Sequence, residues 1–386
     1  MQKIYMDHGA TTPLKEEVLE AMLPYLKNIF GNPSSLHSFG REARKALDES
    51  REKVARALGA SPEEIIFTSG GTEANNLAIQ GVARSLSSGG GGHIITSSIE
   101  HHAVLDTVKY LANTGFEVTF LPVDEYGMVD PGELAARITD QTILVSIMTA
   151  NNEIGTIQPF EEIGRICRER GVYFHTDAVQ AIGHLPFNLK EQPIDMLSLS
   201  AHKFYGPKGA GALYVRKRSK LKQVIFGGSQ ERKLRPGTEN LPGVVGLGRA
   251  IELATSDIEG KSKYLKNLRD RLIKGLLEIE DVRLNGHPQK RLPGNVNVSV
   301  LYVEGEALLL SLDLKGIAVS SGSACTSGSL DPSHVLLAIG LDHQAAHGSV
   351  RLTLGKDNTP QEVDYTLEAV KEIVERLRKM SSVYKK

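Results

Sequence analysis

One lysine in this sequence is placed where a buried amine is expected. Lys203 lies near the end of an apolar run, between Ser200-Ala201-His202 and a glycine-containing turn at 206–209. Partial burial lowers the pKa of a lysine because it penalises the charged form, and a neutral amine has the lone pair that a Schiff base requires. We therefore expect Lys203 to bind an aldehyde cofactor covalently.

Two other places in the sequence match the needs of such a cofactor. A pyridine ring that stores electrons needs a carboxylate at its nitrogen, and its phosphate needs donors. Asp177 follows an apolar strand and meets the first need. Gly70-Gly71-Thr72 begins a predicted helix, whose free amides and dipole attract a phosphate. The alternative for Thr72 is that its hydroxyl only caps the helix.

Two histidines and one asparagine near strand ends each allow more than one interpretation. His175 and Asp177 are two residues apart on a strand, so they point to one face and could hold a metal. No third ligand is evident, and we predict that no metal is required. His101, in Glu100-His101-His102, and Asn152, in Asn151-Asn152-Glu153, could bind a ligand or serve as a helix cap and a turn.

The two cysteines differ in their surroundings. Cys325 lies among small polar residues from Ser320 to Ser329, which favours an exposed thiol that can enter a site and attack. Cys167 lies in a helical pattern and is interpreted as an inert core residue. Such sparse use of cysteine fits a reducing compartment and argues against a disulfide scaffold or a multi-cysteine zinc site.

The elements that position these residues repeat in the order strand, turn, helix. Short apolar strands are predicted near residues 64–68, 94–96, 118–122, 143–148 and 172–175. Helices with apolar residues at helical spacing separate them. Parallel strands need crossover helices, so this order predicts an α/β domain with a mostly parallel sheet covered by helices. Ligands bind at the carboxyl ends of such strands, where the polar residues above lie.

The pattern changes past about residue 255. A charged helical stretch, an alternating strand at 295–300 and a long terminal helix follow, and Thr359-Pro360 with Glu362 form a capping box for that helix. A chain of 386 residues also exceeds what one core usually fills. We predict a large cofactor-binding domain of residues 15–255 and a smaller α+β domain of residues 1–14 and 256–386, which carries the Cys325 segment.

Composition excludes several classes of partner. The formal net charge is -1 and no long basic block occurs, so nucleic acid is not an expected partner. No charged leader and no run of eighteen apolar residues is found, which predicts a cytoplasmic protein without a membrane partner. The glycines at 89–92 precede a strand, and a surface connection is a better interpretation than a phosphate loop.

Nine motifs in this order resemble those of the cysteine desulfurases of the NifS/IscS type, in the class V branch of fold-type I pyridoxal-phosphate enzymes. The resemblance runs over nearly the whole chain. The motifs are Met6-Asp7-His8, Ala10-Thr11-Thr12-Pro13, Gly31-Asn32-Pro33-Ser34-Ser35, Glu100-His101, Asn151-Asn152-Glu153, Asp177-Ala178-Val179-Gln180, Ser200-Ala201-His202-Lys203, Gly237-Thr238 and Ser321-Gly322-Ser323-Ala324-Cys325.

The resemblance implies a role for each matching residue. Lys203 would bind pyridoxal 5'-phosphate, Asp177 would pair with its ring nitrogen, and His101 would stack on the ring and move protons. Gln180 would bond the ring hydroxyl. The phosphate would be held by Gly71, Thr72, Ser200 and His202, with Thr238 of a second subunit, which implies a homodimer. Asn152 and Arg351 would bind the substrate carboxylate. Asn152 would also contact the cofactor.

The resemblance also implies the reaction. Cys325 would attack the sulfur of L-cysteine, leaving L-alanine and a persulfide on Cys325. The long small-residue segment resembles that of the group serving iron-sulfur cluster assembly, so a scaffold protein would accept the sulfur, and Cys325 could itself be a cluster ligand. Two alternatives stand: a selenocysteine lyase or another class V lyase or transaminase, and a non-catalytic docking platform for scaffold proteins.

Overall fold

The computed structural model describes residues 3–86, 91–321, 332–380 and 384. Its strands, numbered in chain order, are β1 (Ile4–Tyr5), β2 (Ile65–Thr68), β3 (His93–Ser97), β4 (Glu117–Leu121), β5 (Thr142–Ser146), β6 (Tyr173–Asp177), β7 (Met196–Ser200), β8 (Gly211–Val215), β9 (Val282–Leu284), β10 (Asn295–Val300), β11 (Ile317–Ala318) and β12 (Ser349–Thr353).

The helices lie between and after these strands. They are α1 (Glu16–Lys27), α2 (Ser38–Leu58), α3 (Gly71–Leu86), α4 (His102–Ala112), α5 (Pro131–Arg137), α6 (Phe160–Glu169), α7 (Leu241–Thr255), α8 (Ile258–Leu277), α9 (Gly305–Leu314), α10 (His334–Ala338), α11 (His343–His347) and α12 (Pro360–Met380), with short 3-10 helices at Pro62–Glu64, Ala201–Lys203 and Gln230–Lys233. No helix in these described ranges is both long and apolar enough to cross a membrane.

The largest sheet has seven strands in the order β2-β8-β7-β6-β5-β3-β4. The five strands from β7 to β4 in that order are mutually parallel, and β8 runs antiparallel to both of its neighbours. Ile65 and Phe67 of β2 belong to one apolar core and Ile66 to another, so helices cover both faces. The predicted α/β fold with a mostly parallel sheet is confirmed.

The second sheet has three antiparallel strands in the order β12-β10-β9. Val296, Val298 and Val300 of β10 join a separate apolar core formed with α8, α9 and α12. The polar residues between them are buried too, because Asn295 and Asn297 donate to the carbonyl of Glu153 in the large domain. The alternating pattern of β10 therefore reflects one face that packs in the apolar core and one polar face that bonds the turn containing Glu153.

The chain termini reinforce the smaller sheet region. β1 pairs in parallel with β11, and Asp7 bridges to Thr353. The predicted capping box is confirmed, since the Thr359 amide donates to the Glu362 carboxylate at 3.0 Å and the Glu362 amide donates to the Thr359 hydroxyl at 3.2 Å. The domain boundaries at residues 15 and 255 stay a prediction.

Candidate active site

A cavity of about 330 Å³ lies at the carboxyl ends of the parallel strands. Asp177 ends β6, Ser200 ends β7, and the first turn of α3 follows β2. Ten residues predicted for the site line this one cavity, and they are Gly71, Thr72, His101, Asn152, Asp177, Gln180, Ser200, His202, Lys203 and Arg351. Arg351 comes from β12 of the smaller sheet, so the cavity lies between the two sheets.

The amine of Lys203 is held by main-chain carbonyls of the N-terminal segment. Its Nζ donates to the carbonyl of Gly9 at 2.7 Å and to that of Ala10 at 2.8 Å. The Gln180 side-chain amide donates to the same Gly9 carbonyl at 3.0 Å. The lysine is partly buried, follows β7 in a short 3-10 helix and lines the cavity.

The carboxylate of Asp177 is buried and bonded on both oxygens. Asn75 donates to its Oδ2 at 2.6 Å, and the amide of Val179 donates to its Oδ1 at 2.9 Å. Both bonds hold the carboxylate in one orientation at the cavity wall. Sequence reasoning missed Asn75, although it lies one helical turn after Gly71 and is a polar residue on the buried face of α3.

The start of α3 forms a cradle suited to an anion. A Cβ at Gly71 would lie 2.6 Å from Val179 Cγ2, so a side chain there would require Val179 to shift. Thr72, Ser200, His202 and Lys208 surround the same turn. Burial and the charges of Lys203 and Lys208 lower the pKa of His202 to about 4, so its ring is neutral near pH 7.

His101 serves as a helix cap and also lies at the cavity. It caps α4, its Nδ1 accepting from the Ala103 amide at 3.0 Å, and its ring also lines the cavity. In a neutral ring this bond places the proton on Nε2. Glu100 behind it is fully buried, which raises its pKa to about 8, and it accepts from the Ser97 hydroxyl and the Met148 amide.

Arg351 brings a buried guanidinium to the cavity. It is 2% exposed, and it donates to Asp7 Oδ1 at 3.1 Å and to the carbonyl of Asn152 at 2.9 Å. Its Nε has no partner among the described residues, nor has Oδ1 of Asn75. Unpaired buried polar atoms are costly, and both residues line the cavity.

Among the described residues, one predicted site residue is not brought to the cavity. Thr238 is exposed on the loop before α7 and does not line it within its own chain. Cys325 lies outside the described residues. The second cysteine, Cys167, is fully buried, which raises its pKa to about 12 and suits a core residue.

The structure also accounts for His175. Its two ring nitrogens bond the hydroxyls of Ser146 and Ser198 at 2.8 and 2.9 Å, so it links three strands of the sheet. No group of three or more residues able to hold a metal ion occurs in the described part of the chain.

These groups fit pyridoxal 5'-phosphate. The cavity combines an amine, a carboxylate fixed by two donors, and an anion cradle at a helix start. Each of the three occurs at the end of a different element of the large sheet, which is the place where such sheets bind ligands.

Comparison with known proteins assigns the family. Residues 4–366 match the family described as aminotransferase class-V. The chain is 60% identical over 378 residues to a cysteine desulfurase IscS of Methanosarcina thermophila, an alignment that covers 98% of this chain and 93% of that protein. It is 56% identical over 381 residues to the protein of the same name from Dictyoglomus turgidum, covering 98% and 96%.

Solved structures agree with this assignment. A NifS-like protein superposes with a TM-score of 0.92 at 42% identity, covering 97% of this chain and 100% of that chain. A structure described as SspA in complex with cysteine has a TM-score of 0.81 at 39% identity, covering 92% and 99%. The chain therefore belongs to the class V aminotransferase family and, within it, to the cysteine desulfurases of the NifS and IscS type.

Proposed function

We propose that this chain is a pyridoxal-phosphate enzyme that removes sulfur from L-cysteine, giving L-alanine and a persulfide on Cys325. The observation that carries the proposal is the convergence of Lys203, Asp177, His101 and Arg351 on one cavity. The family and its relatives support the same activity.

The residues that hold the cofactor follow from their placement. Lys203 would bind it covalently and Asp177 would pair with its ring nitrogen, while Gln180 would bond the ring hydroxyl. The phosphate would be held by Gly71, Thr72, Ser200 and His202 at the start of α3. When bound, the cofactor supplies an electron sink for bond cleavage next to the substrate's amino carbon.

Arg351 and Asn152 would bind the substrate's carboxylate. A guanidinium has a fork of donors that matches a carboxylate, and the Nε of Arg351 is unused within the part of the chain that the structure describes. Asp7 and the Asn152 carbonyl hold the other nitrogens and so fix the direction of the fork. This orientation would place the sulfur of the bound amino acid within the cavity.

His101 would move protons, and Cys325 would take the sulfur. In a neutral ring the cap bond to Nδ1 of His101 places the proton on Nε2, the atom through which the ring would exchange protons. The thiolate of Cys325 attacks the substrate's sulfur, so an S–S bond forms while the C–S bond breaks. L-cysteine and one thiol thus become L-alanine and one persulfide, and no external oxidant is needed.

We also propose that two copies of the chain form a homodimer. Phe30 and Leu36 are 77% and 91% exposed, and Phe226 is 72% exposed, which is unusual for large apolar side chains. Thr238 lies outside its own chain's cavity. Both features support a dimer in which each copy covers the exposed apolar residues of the other. In this dimer, Thr238 of one copy would reach the phosphate cradle of the other.

The sulfur acceptor is proposed to be a scaffold protein of iron-sulfur cluster assembly, in the cytoplasm. The names of the relatives support this acceptor. The two cysteines of the chain, one of them buried, suit a reducing compartment that keeps the thiol of Cys325 available.

Replacing the thiol tests the reaction. Cys325→Ser should keep the yellow cofactor chromophore but lose sulfide release from L-cysteine in the presence of a reductant, because the attacking atom is gone. Cys167→Ala, which changes a core cysteine, should keep the release. Unchanged release by Cys325→Ser would favour another class V reaction, and a variant active only on selenocysteine would favour the lyase.

A further inference from the structure

The segment that carries Cys325 is attached to the described structure at two points. Residues 322–331 lie outside the described residues. Before them, Ser320 and Arg351 exchange two main-chain hydrogen bonds, of 3.2 and 2.7 Å. After them, Ser333 is buried at the start of α10. We call Ser333 and His334 the return anchor of the segment.

The hydroxyl of Ser333 bonds in both directions. It donates to Glu153 Oε2 at 2.5 Å, and it accepts from the amides of Val335 and Leu336 at 3.2 and 3.3 Å. The second pair of bonds caps α10, while the first ties the anchor to the large domain. A hydroxyl can donate and accept at once, whereas alanine could do neither.

Glu153 is itself fixed in place. It is 5% exposed, its amide donates to Asn151 Oδ1 at 2.8 Å, and its carbonyl accepts from Asn295 and Asn297 at 3.2 Å each. Burial raises the pKa of its carboxyl to about 7, although the nearby charges of Arg351 and His101 act in the opposite direction. The carboxyl therefore lies close to the cavity but does not line it.

A second tie joins the return anchor to the turn before α4. The ring of His334 bonds the carbonyl of Glu100 at 3.0 Å. Ile99 and Ile154 share an apolar cluster with Val335 and Leu336. The anchor is thus bound to both turns that present the cavity residues, the one with His101 and the one with Asn152.

We propose that Glu153 and Ser333 are positioning residues for Cys325, and that their hydrogen bond fixes the point to which its segment is tethered, next to the turns that carry His101 and Asn152. This inference rests on the proposed function. Holding a reactant near its target raises the rate of the step in which the two meet. Because neither residue lines the cavity, their loss should slow sulfur transfer and leave cofactor and substrate binding intact.

The chain offers a matched control for the helix cap. Asp342 caps α11, another five-residue helix in the same apolar cluster, by accepting from the Ala345 amide at 2.8 Å. Asp342→Ala loses a cap without touching Glu153. Ser333→Thr keeps a hydroxyl and should restore the positioning bond.

The test is a single turnover of the purified full-length holoenzyme with L-cysteine. The spectral response of the cofactor reports substrate binding, and rapid quenching with an alkylating agent reports persulfide on Cys325. Ser333→Ala should form persulfide about tenfold to a hundredfold more slowly at an unchanged half-saturating cysteine concentration. Ser333→Thr should recover most of the rate, and Asp342→Ala should match wild type.

Other results overturn the inference. One is an unchanged rate of persulfide formation in Ser333→Ala, and another is an equal loss of that rate in Asp342→Ala. A third is a Ser333→Ala variant whose cofactor spectrum no longer responds to cysteine. If Ser333→Ala does not fold, Glu153→Gln replaces the acceptor by a weaker neutral one and should slow the same step by a smaller factor, while an unchanged rate counts against the inference. A wild-type enzyme that forms no persulfide contradicts the proposed function itself.

Discussion

Asn75 lines the cavity and also orients another residue of the site. Its amide donates to the buried carboxylate of Asp177 at 2.6 Å, and its own oxygen is unpaired among the residues that the structure covers. Removing a donor from a buried carboxylate leaves that charge less well solvated. Asn75 therefore orients the group that would pair with the cofactor's ring nitrogen.

Asn75→Ala should weaken cofactor binding. A hydrogen bond to a charged group contributes about 1.5–3 kcal/mol, so we expect the dissociation constant for pyridoxal 5'-phosphate to rise by about tenfold or more. Titrating the apoenzyme with the cofactor measures this. The control Asn113→Ala, at the exposed end of α4, should bind as wild type does. Equal affinity in Asn75→Ala would show that Asp177 does not need this donor.

At the scale of elements, the side chain of His175 links β6 to both of its neighbouring strands, in addition to the main-chain pairing. Burial lowers the pKa of His175 to about 3, so the ring stays neutral in the folded protein. An unfolded chain takes up this proton below about pH 6.5, and the folded one does not. The contribution of His175 to stability is therefore complete above about pH 6.5 and declines as the pH falls toward 3.

His175→Gln tests this dependence on pH. The glutamine cannot take up a proton, so acid should destabilise the variant less than wild type. We expect the variant to melt at a lower temperature at pH 7.5, because one of the two bonds to serine is lost, and the difference in melting temperature to shrink at pH 5. A difference that stays constant or grows with acid would contradict the assigned protonation state.

The sequence predicted the elements better than the contacts between them. Strands β2 to β6 and β10 were predicted from their apolar patterns and several helices from their spacing, whereas β8, β9, β11 and β12 and the short helices α10 and α11 were not. The chemistry at the strand ends followed from the fold class. The carbonyls of Gly9 and Ala10 at Lys203 could not be predicted, because main-chain groups have no residue signature. The bond between Glu153 and Ser333 joins residues 180 positions apart, which no local pattern records.

At the scale of the whole molecule, the cavity requires both sheets. Arg351 reaches it from β12, and Asp177 reaches it from β6. The N-terminal segment connects the two, since Asp7 bonds Arg351 while Gly9 bonds Lys203. A shift of one sheet against the other would move the guanidinium of Arg351 relative to the amine of Lys203.

The exposed apolar residues predict the oligomeric state. A chain of 42.0 kDa should sediment as a dimer of twice that mass. Leu36→Asp with Phe30→Asp places charge on the proposed interface and should shift the protein toward monomer and loosen the cofactor, because Thr238 of the second copy is withdrawn. Leu310→Asp, at an exposed position on α9, is the control. A double variant that stays dimeric would place the interface elsewhere.

Following the sulfur atom of the substrate tests whether Cys325 receives it. Wild-type holoenzyme is mixed with L-cysteine, alkylated, digested and analysed by mass spectrometry, and free alanine is measured in the same sample. We predict one additional sulfur on the peptide that contains Cys325 and one alanine for each persulfide formed. Alanine without additional sulfur on that peptide, or additional sulfur on Cys167 instead, would contradict the central claim.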